Sequence, residues 1–204
     1  MSQEQNRDSE RAIELGAGQN PFRDDIMTVD IQEHNNPDIV HNLDEFPYVD
    51  ENGKKLPDNH FDKVYIHHCL EHLSNWKNAL REIHRITKPG GIVNVRVPHF
   101  SRNGSPDHKT TFDLFFPDKY LSPGTQEYIG EASFEVMERQ LRWRAAANYE
   151  RKVGSKTGKI FNLIGRFTNP LVNRSSMYHM ATKFCYFPFN GFEELEWDLK
   201  VKDS

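Results

Sequence analysis

Only seven residues separate Gly18 from the apolar run that opens at Ile26, in the stretch AIELGAGQNPFRDDIMTVDI at 12–31. Residues 12–16 read as a first strand and residues 26–31 as a second. A five-residue strand is about 17 Å long, and a neighbouring strand lies about 4.8 Å away. A parallel neighbour requires the chain to travel back over that whole length. Seven residues wound as helix advance only about 10 Å. Extended, they reach about 24 Å. The connection is therefore expected to be extended, without the helix usual in a parallel crossover. Pro21 agrees, because it disfavours the helical region at Asn20.

The following segments supply the rest of a sheet. Residues 38–42 read as a short third strand, and ENGKKLPDNH at 51–60 as a turn-rich loop. FDKVYIHH at 61–68 reads as another strand. Ser74 is the expected N-cap of a helix reaching about Thr87, with Trp76, Ala79, Leu80 and Ile83 at three- and four-residue spacing. KPGG ends it, and IVNVRV at 92–97 follows as a strand. Strand, helix, glycine turn, strand is a right-handed βαβ unit. In the last third, SFEVMERQLRW and EELEWDLKV alternate polar with apolar residues, which marks an antiparallel pair with one wet face. The fold class is α/β: a Rossmann-like, mostly parallel sheet with C-terminal antiparallel strands, its first crossover helix reduced to a short extended loop.

At 204 residues the chain has the size of one domain. The polar residues 1–11 are expected to be a flexible N-terminal segment, and 12–204 a single domain carrying a basic, aromatic insertion at about 148–190. From Arg151 to Asn190 there are seven Lys and Arg and no acid. Three readings of this stretch stay open. It covers the sheet face left thin by the missing helix; it presents cations and rings to an anionic or lipid-linked glycan at a membrane surface; or it packs against another subunit, which leaves an oligomer open. Lys+Arg 26 against Asp+Glu 30, a net −4, argues against a nucleic-acid partner. No apolar run approaches bilayer length and no signal peptide is expected. Cys69 and Cys185 read as reduced thiols of a cytoplasmic protein.

Gly16 and Gly18 allow main chain to approach a ligand closely. Asp30, at the carboxyl end of the second strand, stands where an acid accepts hydrogen bonds from a ribose diol. The third glycine and the helix N-terminus that a pyrophosphate needs are both absent, so NAD fits poorly. GSKTGK at 154–159 has its glycines too close together for a P-loop. His68 and His72, four apart in HHCLEH, lack a convincing third ligand, so no metal is expected.

Taken together, IELGAG, VDI, HNLDEFP, LPDNHFDKVYIHHCLEHL and LREIHRITKPGGIVNVRVP resemble the class I S-adenosylmethionine-dependent methyltransferases. They are most similar to the small type 11 branch associated with surface-polysaccharide biosynthesis. The resemblance covers about 12–120 and continues faintly into FPFNGFEELEWDLKV. It implies S-adenosylmethionine as cofactor and a small-molecule or carbohydrate acceptor, methylated at oxygen. Glu14, Gly16 and Gly18 would line the methionine end. Asp30 would take the ribose hydroxyls, with Ile31 beside the adenine. Asn42 and Leu43 match the position contacting the adenine amine, Asn keeping an acceptor oxygen without the charge. His67 would face the cofactor from the end of its strand. Asn20 departs from the pattern at the methionine carboxylate, where Arg23 is a candidate replacement.

An oxygen nucleophile must lose its proton, and a histidine suits that work near pH 7. PHFSRNGSPDHKTTF, at 98–112, supplies His108 as the expected base, with His99 and Asp107 as further candidates; branch members show a similar pattern. The plainer alternative is that His99 caps a strand and Asp107 pairs with Lys109. Two rival functions stay open: a degenerate methyltransferase fold used for binding or scaffolding, and a nucleotide-sugar binder.

Overall fold

The computed structural model of the protein describes residues 10–100, 105–124, 126–142, 170, 173 and 194–203. Strand β1 (Ala12–Leu15) lies parallel to β2 (Met27–Asp30), with Leu15 opposite Val29. Residues 16–26 hold no helix, as the length argument required. The loop is instead tied down across the sheet. Gly16 and Ala17 donate their N–H groups to the Val29 carbonyl at 2.8 and 3.1 Å. Phe22 donates its N–H to the Glu14 carboxylate at 2.7 Å. The Phe22 ring packs 4.9 Å from the His67 ring and 5.1 Å from the Tyr65 ring, with the Arg96 guanidinium 4.9 Å over its face. One aromatic side chain thus does part of the covering that a crossover helix would do.

The remaining strands are β3 (Ile39–Val40), β4 (Phe61–His67), β5 (Thr87–Pro98), β6 (Phe134–Arg142) and β7 (Glu194–Val201). They make one seven-stranded sheet in the order β3-β2-β1-β4-β5-β7-β6. The first five are parallel; β7 runs antiparallel to both β5 and β6. This is the expected fold class. Helix α1 (Trp76–Ile86) connects β4 to β5, and the short α2 (Phe116–Tyr120) and α3 (Gln126–Ile129) precede β6.

The two faces of the sheet differ in chemistry. On one, Ile13, Ile66, Val93, Val95 and Leu199 are fully or almost fully buried, in one cluster with Ala79, Leu80, Ile83 and Ile86 of α1. Each such aliphatic side chain contributes about 1.5–3 kcal/mol by leaving water. Trp197 extends this core, its ring stacked at 6.0 Å on Phe116 and its indole N–H donating to the Leu114 carbonyl at 3.2 Å. The other face is polar. Glu14, His67, Asn94, Arg96, Glu196 and Asp198 occupy paired positions along it. Arg96 pairs with Glu196 at 2.9 Å, and Asn94 donates to Asp198 at 2.6 Å.

Several boundaries differ from the expectation. Asn75, not Ser74, caps α1, its side-chain oxygen accepting the Asn78 N–H at 3.3 Å. The Asp44 carboxylate accepts the N–H groups of both Ser74 and Asn75, which fixes where the helix starts. The helix ends at Ile86, before KPGG, and β5 already begins at Thr87. Phe61 pairs with Thr87 and Lys63 with Ile92, so Lys88–Gly91 bulges out between them. The N-terminal segment is not free to residue 11: Arg11 donates its N–H to Asp62 at 3.0 Å, and Glu10 pairs with Arg23 at 3.1 Å. Residues 1–9 and nearly all of the 148–190 insertion lie outside the described residues. Of that insertion, Asn173 exchanges two hydrogen bonds with the Leu141 main chain, at 2.7 and 2.9 Å.

Candidate active site

A cleft of about 630 Å³ opens at the carboxyl ends of β1, β2 and β4, where open α/β sheets bind their ligands. Gly16, Gly18, Asp30, Ile31, Asn42 and Leu43 all line it. The two glycines serve different ends. Gly16 has φ +74°, and a Cβ there would collide with Cys69 Cβ and Sγ. Gly18 has φ +59°, and a Cβ there would meet nothing within 4 Å. Only Gly18 therefore leaves room for a ligand against main chain; Gly16 is demanded by its backbone and by Cys69.

Asp30 does more than face the cleft. Its Oδ2 accepts the Gly18 N–H at 2.8 Å, and its Oδ1 accepts the Gln32 N–H at 2.8 Å and the Asn35 amide at 3.2 Å. A carboxylate has about four acceptor positions, so capacity remains on Oδ2 for a ligand hydroxyl. Asn35 also lines the cleft, and its Oδ1 is buried without a hydrogen-bond partner among the described residues. A buried acceptor left in this state costs free energy until a donor arrives. An adenosyl group, with its ribose hydroxyls and exocyclic amine, supplies such donors. The residues present thus fit the adenosine half of S-adenosylmethionine.

Two of the expected cofactor contacts fall elsewhere. Glu14 is 3% exposed and engaged with Phe22 on the polar face. Burial pushes its carboxyl up to about 7, against the opposing pull of the Phe22 N–H and Arg96. His67 lies on the same face, hydrogen-bonded to Asn94 Oδ1 at 2.6 Å. Burial, then the Arg96 charge, hold it down to about 4. Neither lines the cleft. The strand continues through His67, and its two-residue alternation sends that side chain to the face of Tyr65 and Lys63. His68, at φ +49°, turns into the cleft instead. Burial works to lower the His68 pKa, but the hydrogen bond to Glu194 at 2.8 Å and the nearby Glu71 carboxylate prevail and raise it to about 9. Arg23 is engaged with Asp25 and Glu10, so its charge is already matched.

Asn42 keeps its place at the cleft, although its side-chain oxygen accepts the Asp44 N–H at 3.1 Å. Asp44, two residues on in the HNLDEFP stretch, also lines the cleft and was missed. So were Gln32, Asn35, Cys69 and Lys109.

The expected acceptor-side residues separate into two groups. Asp107 lines the cleft and stands 3.2 Å from His72 Nδ1; His108 packs edge-on against His72 with ring centres 4.9 Å apart. Lys109, the partner expected for Asp107 in the plainer reading, instead donates to Ser74 Oγ at 2.7 Å. The loop is fixed by the Lys109 and Thr110 N–H groups, which donate to the Glu71 carbonyl at 2.7 and 3.2 Å. His99 does not join them. It is 1% exposed, bridged to Phe112 and packed 4.2 Å from the Phe100 ring, and burial lowers its pKa to about 4. A base needs contact with the acceptor, and His99 sits in the packing beneath the loop.

Residues 14–95 match the family model of a methyltransferase domain. Two curated relatives are similar. The ubiquinone/menaquinone biosynthesis C-methyltransferase UbiE of Hydrogenovibrio crunogenus is 32% identical over 109 residues, 52% of this chain and 41% of that protein. Its counterpart from Ectopseudomonas mendocina is 37% identical over 70 residues, 33% of this chain and 27% of that one. The chain thus spans less than half the length of these relatives. Among solved structures, a SAM-dependent methyltransferase from Archaeoglobus fulgidus superposes with a TM-score of 0.52 at 17% identity, covering 94% of this chain and 86% of that one; this shows a shared fold. Residues 14–95 are thus similar to methyltransferase domains, the chain shares their fold, and the cleft at its strand ends fits an adenosyl group.

Proposed function

We propose that the protein transfers a methyl group from S-adenosylmethionine to an oxygen of a small-molecule or sugar acceptor. The observation that carries this reading is the pairing of Asp30 with the open turn at Gly18, on the rim of a cleft large enough for the cofactor. Asp30 and Asn35 would hold the ribose and adenine side, with Ile31 and Leu43 as apolar walls. When bound, the cofactor supplies a methyl carbon on a positively charged sulfur. The residues around it orient the acceptor and exclude water, which accounts for much of the rate in reactions of this kind. An acceptor hydroxyl must also give up its proton. His72, Asp107 and His108 are the groups placed for that task.

A sugar hydroxyl as acceptor follows from the resemblance to the polysaccharide-associated branch. We place the reaction in the cytoplasm, on the reduced-thiol reading of Cys69 and Cys185; among the described residues no helix is long and apolar enough to cross a membrane. The relatives named as C-methyltransferases favour a second reading, transfer to carbon. A fold retained for binding alone is the non-enzymatic rival.

Calorimetry with S-adenosylmethionine, S-adenosylhomocysteine, NAD and UDP-sugars tests the cofactor. Binding of the first two alone is expected; binding of a nucleotide-sugar alone overturns the proposal. Incubation with labelled S-adenosylmethionine and a panel of sugars and phenols, with NMR of the product, then distinguishes oxygen from carbon. Tight cofactor binding without transfer to any acceptor in the panel favours the binding-only rival.

A further inference from the structure

We propose that Glu71, His72 and His108 form a binding site for a first-row divalent cation, zinc(II) above all, at the edge of the cleft and with a fourth position open. Their donor atoms lie within 4.8 Å of one another. Zinc bonds of about 2.0–2.2 Å in tetrahedral array set donors roughly 3.4 Å apart, so side-chain rotation of about an ångström closes the ring. Two imidazoles and one carboxylate, with a fourth position left over, is a donor set suited to catalytic zinc. Magnesium and calcium prefer all-oxygen sites and fit it poorly.

Glu71 carries the second, independent observation. It is 1% exposed, and its Oε2 is buried with no hydrogen-bond partner among the described residues. Its Oε1 lies 3.7 Å from His68 Nδ1 and 3.9 Å from His72 Nε2, beyond hydrogen-bond reach. A carboxylate taken out of water without donors is costly, and a cation is one of the few partners that repays it. His72 is already oriented for the role. Its Nδ1 faces Asp107 Oδ2 at 3.2 Å, leaving Nε2 toward Glu71. A carboxylate behind a histidine is the usual outer support of a metal ligand, fixing its tautomer and ring angle.

His68 and His72 are the pair visible in the sequence, but His68 is held by Glu194. The third ligand comes from a loop thirty-six positions beyond His72, pinned against the turn by the Glu71 carbonyl. His72 and Asp107 line the cleft together with Gly16 and Asp30, so the site lies at the edge of the cleft, with its fourth position left for a further ligand. The ligand of that position is an oxygen of the acceptor, a hydroxyl or phenol whose proton a cation makes easier to lose; with the cation bound, His72 and His108 serve as ligands in place of bases, and the proton passes to solvent. That last role rests on the methyltransferase reading; the cation site does not.

The test is titration of the chelator-stripped full chain with zinc chloride by calorimetry, and with cobalt(II) followed by its visible absorption. One saturable site is expected, with a tetrahedral cobalt spectrum and no competition from magnesium chloride. His72→Ala and His108→Ala should each weaken it tenfold or more, and Asp107→Asn by about tenfold. S-adenosylhomocysteine should bind His108→Ala as it binds the unaltered chain, which shows that the variant is folded. Absence of saturable binding, or binding undiminished in both histidine variants, overturns the site. Failure of S-adenosylhomocysteine to bind while the cation titrates as expected overturns the methyltransferase reading and leaves the site standing.

Discussion

The Asp30 carboxylate accepts the Gly18 N–H at 2.8 Å, joining the end of β2 to the turn that leaves β1. One group thus shapes the cleft and remains available to a ligand in it. Asp30→Ala removes both functions. Affinity for S-adenosylhomocysteine should fall tenfold or more, from the loss of charge-assisted bonds worth roughly 1.5–3 kcal/mol. Asp30→Asn, which keeps an acceptor for Gly18, should fall between. Calorimetry decides, and an unchanged dissociation constant for Asp30→Ala removes Asp30 from the site.

The two glycines separate packing from ligand approach. Gly16→Ala meets both a left-handed backbone and Cys69, so a stability loss of about 2–4 kcal/mol is expected. Gly18→Ala meets only the backbone penalty, about 1–2 kcal/mol, while its methyl group enters the cleft. Urea unfolding should therefore rank Gly16→Ala as the less stable variant. Titration with S-adenosylhomocysteine should show a direct loss of affinity in Gly18→Ala. The reverse stability order contradicts the geometry at Cys69.

The arithmetic of chain length was enough to find the missing helix at 19–25, because a strand's length and seven residues' reach leave one solution. The alternation of Leu195, Trp197, Leu199 and Val201 likewise revealed an antiparallel strand. Side-chain direction at strand ends was not legible. His67 and His68 differ by one position, and which of them enters the cleft depends on a left-handed turn at His68 that no local preference announces. His99 and His108 sit in one short stretch, yet the pairing of His99 with Phe112 buries the first and leaves the second beside His72. Such outcomes are set by contacts distant in the chain. Glu71 required the same information, since only the folded loop shows a histidine on either side of its Oε1 and no hydrogen-bond partner for its Oε2 among the described residues.

His68 is the residue whose charge should report on this side of the cleft. Its hydrogen bond to Glu194 raises the imidazole pKa to about 9, above the ordinary value near 6.5. The stabilisation it brings is fully present below pH 6.5 and is lost as the pH rises through 9. The ring is 46% exposed, so solvent screening keeps the effect small. NMR titration of the histidine rings should find one with a midpoint above 8. Glu194→Gln should bring that midpoint down by a full pH unit or more; a ring titrating near 6.5 in the unaltered chain refutes the pairing.

Glu14 distinguishes the role implied by resemblance from the role the fold gives it. Its buried carboxyl titrates near 7 in the folded chain, so ionisation works against folding. The sign follows from the raised value: Glu14 favours the folded state fully below about pH 4.5, and this is lost as the pH rises through 7. Glu14→Gln stays neutral and retains an oxygen for the Phe22 N–H. It should match the unaltered chain near pH 4.5 and exceed it at pH 8 by on the order of 2 kcal/mol. Its affinity for S-adenosylhomocysteine should change less than twofold, because the side chain lies under Phe22 and outside the cleft. Thermal unfolding across that pH range and one calorimetric titration measure both. A large loss of affinity with no gain in stability at pH 8 returns Glu14 to the cofactor and requires the 19–25 loop to move when the cofactor binds.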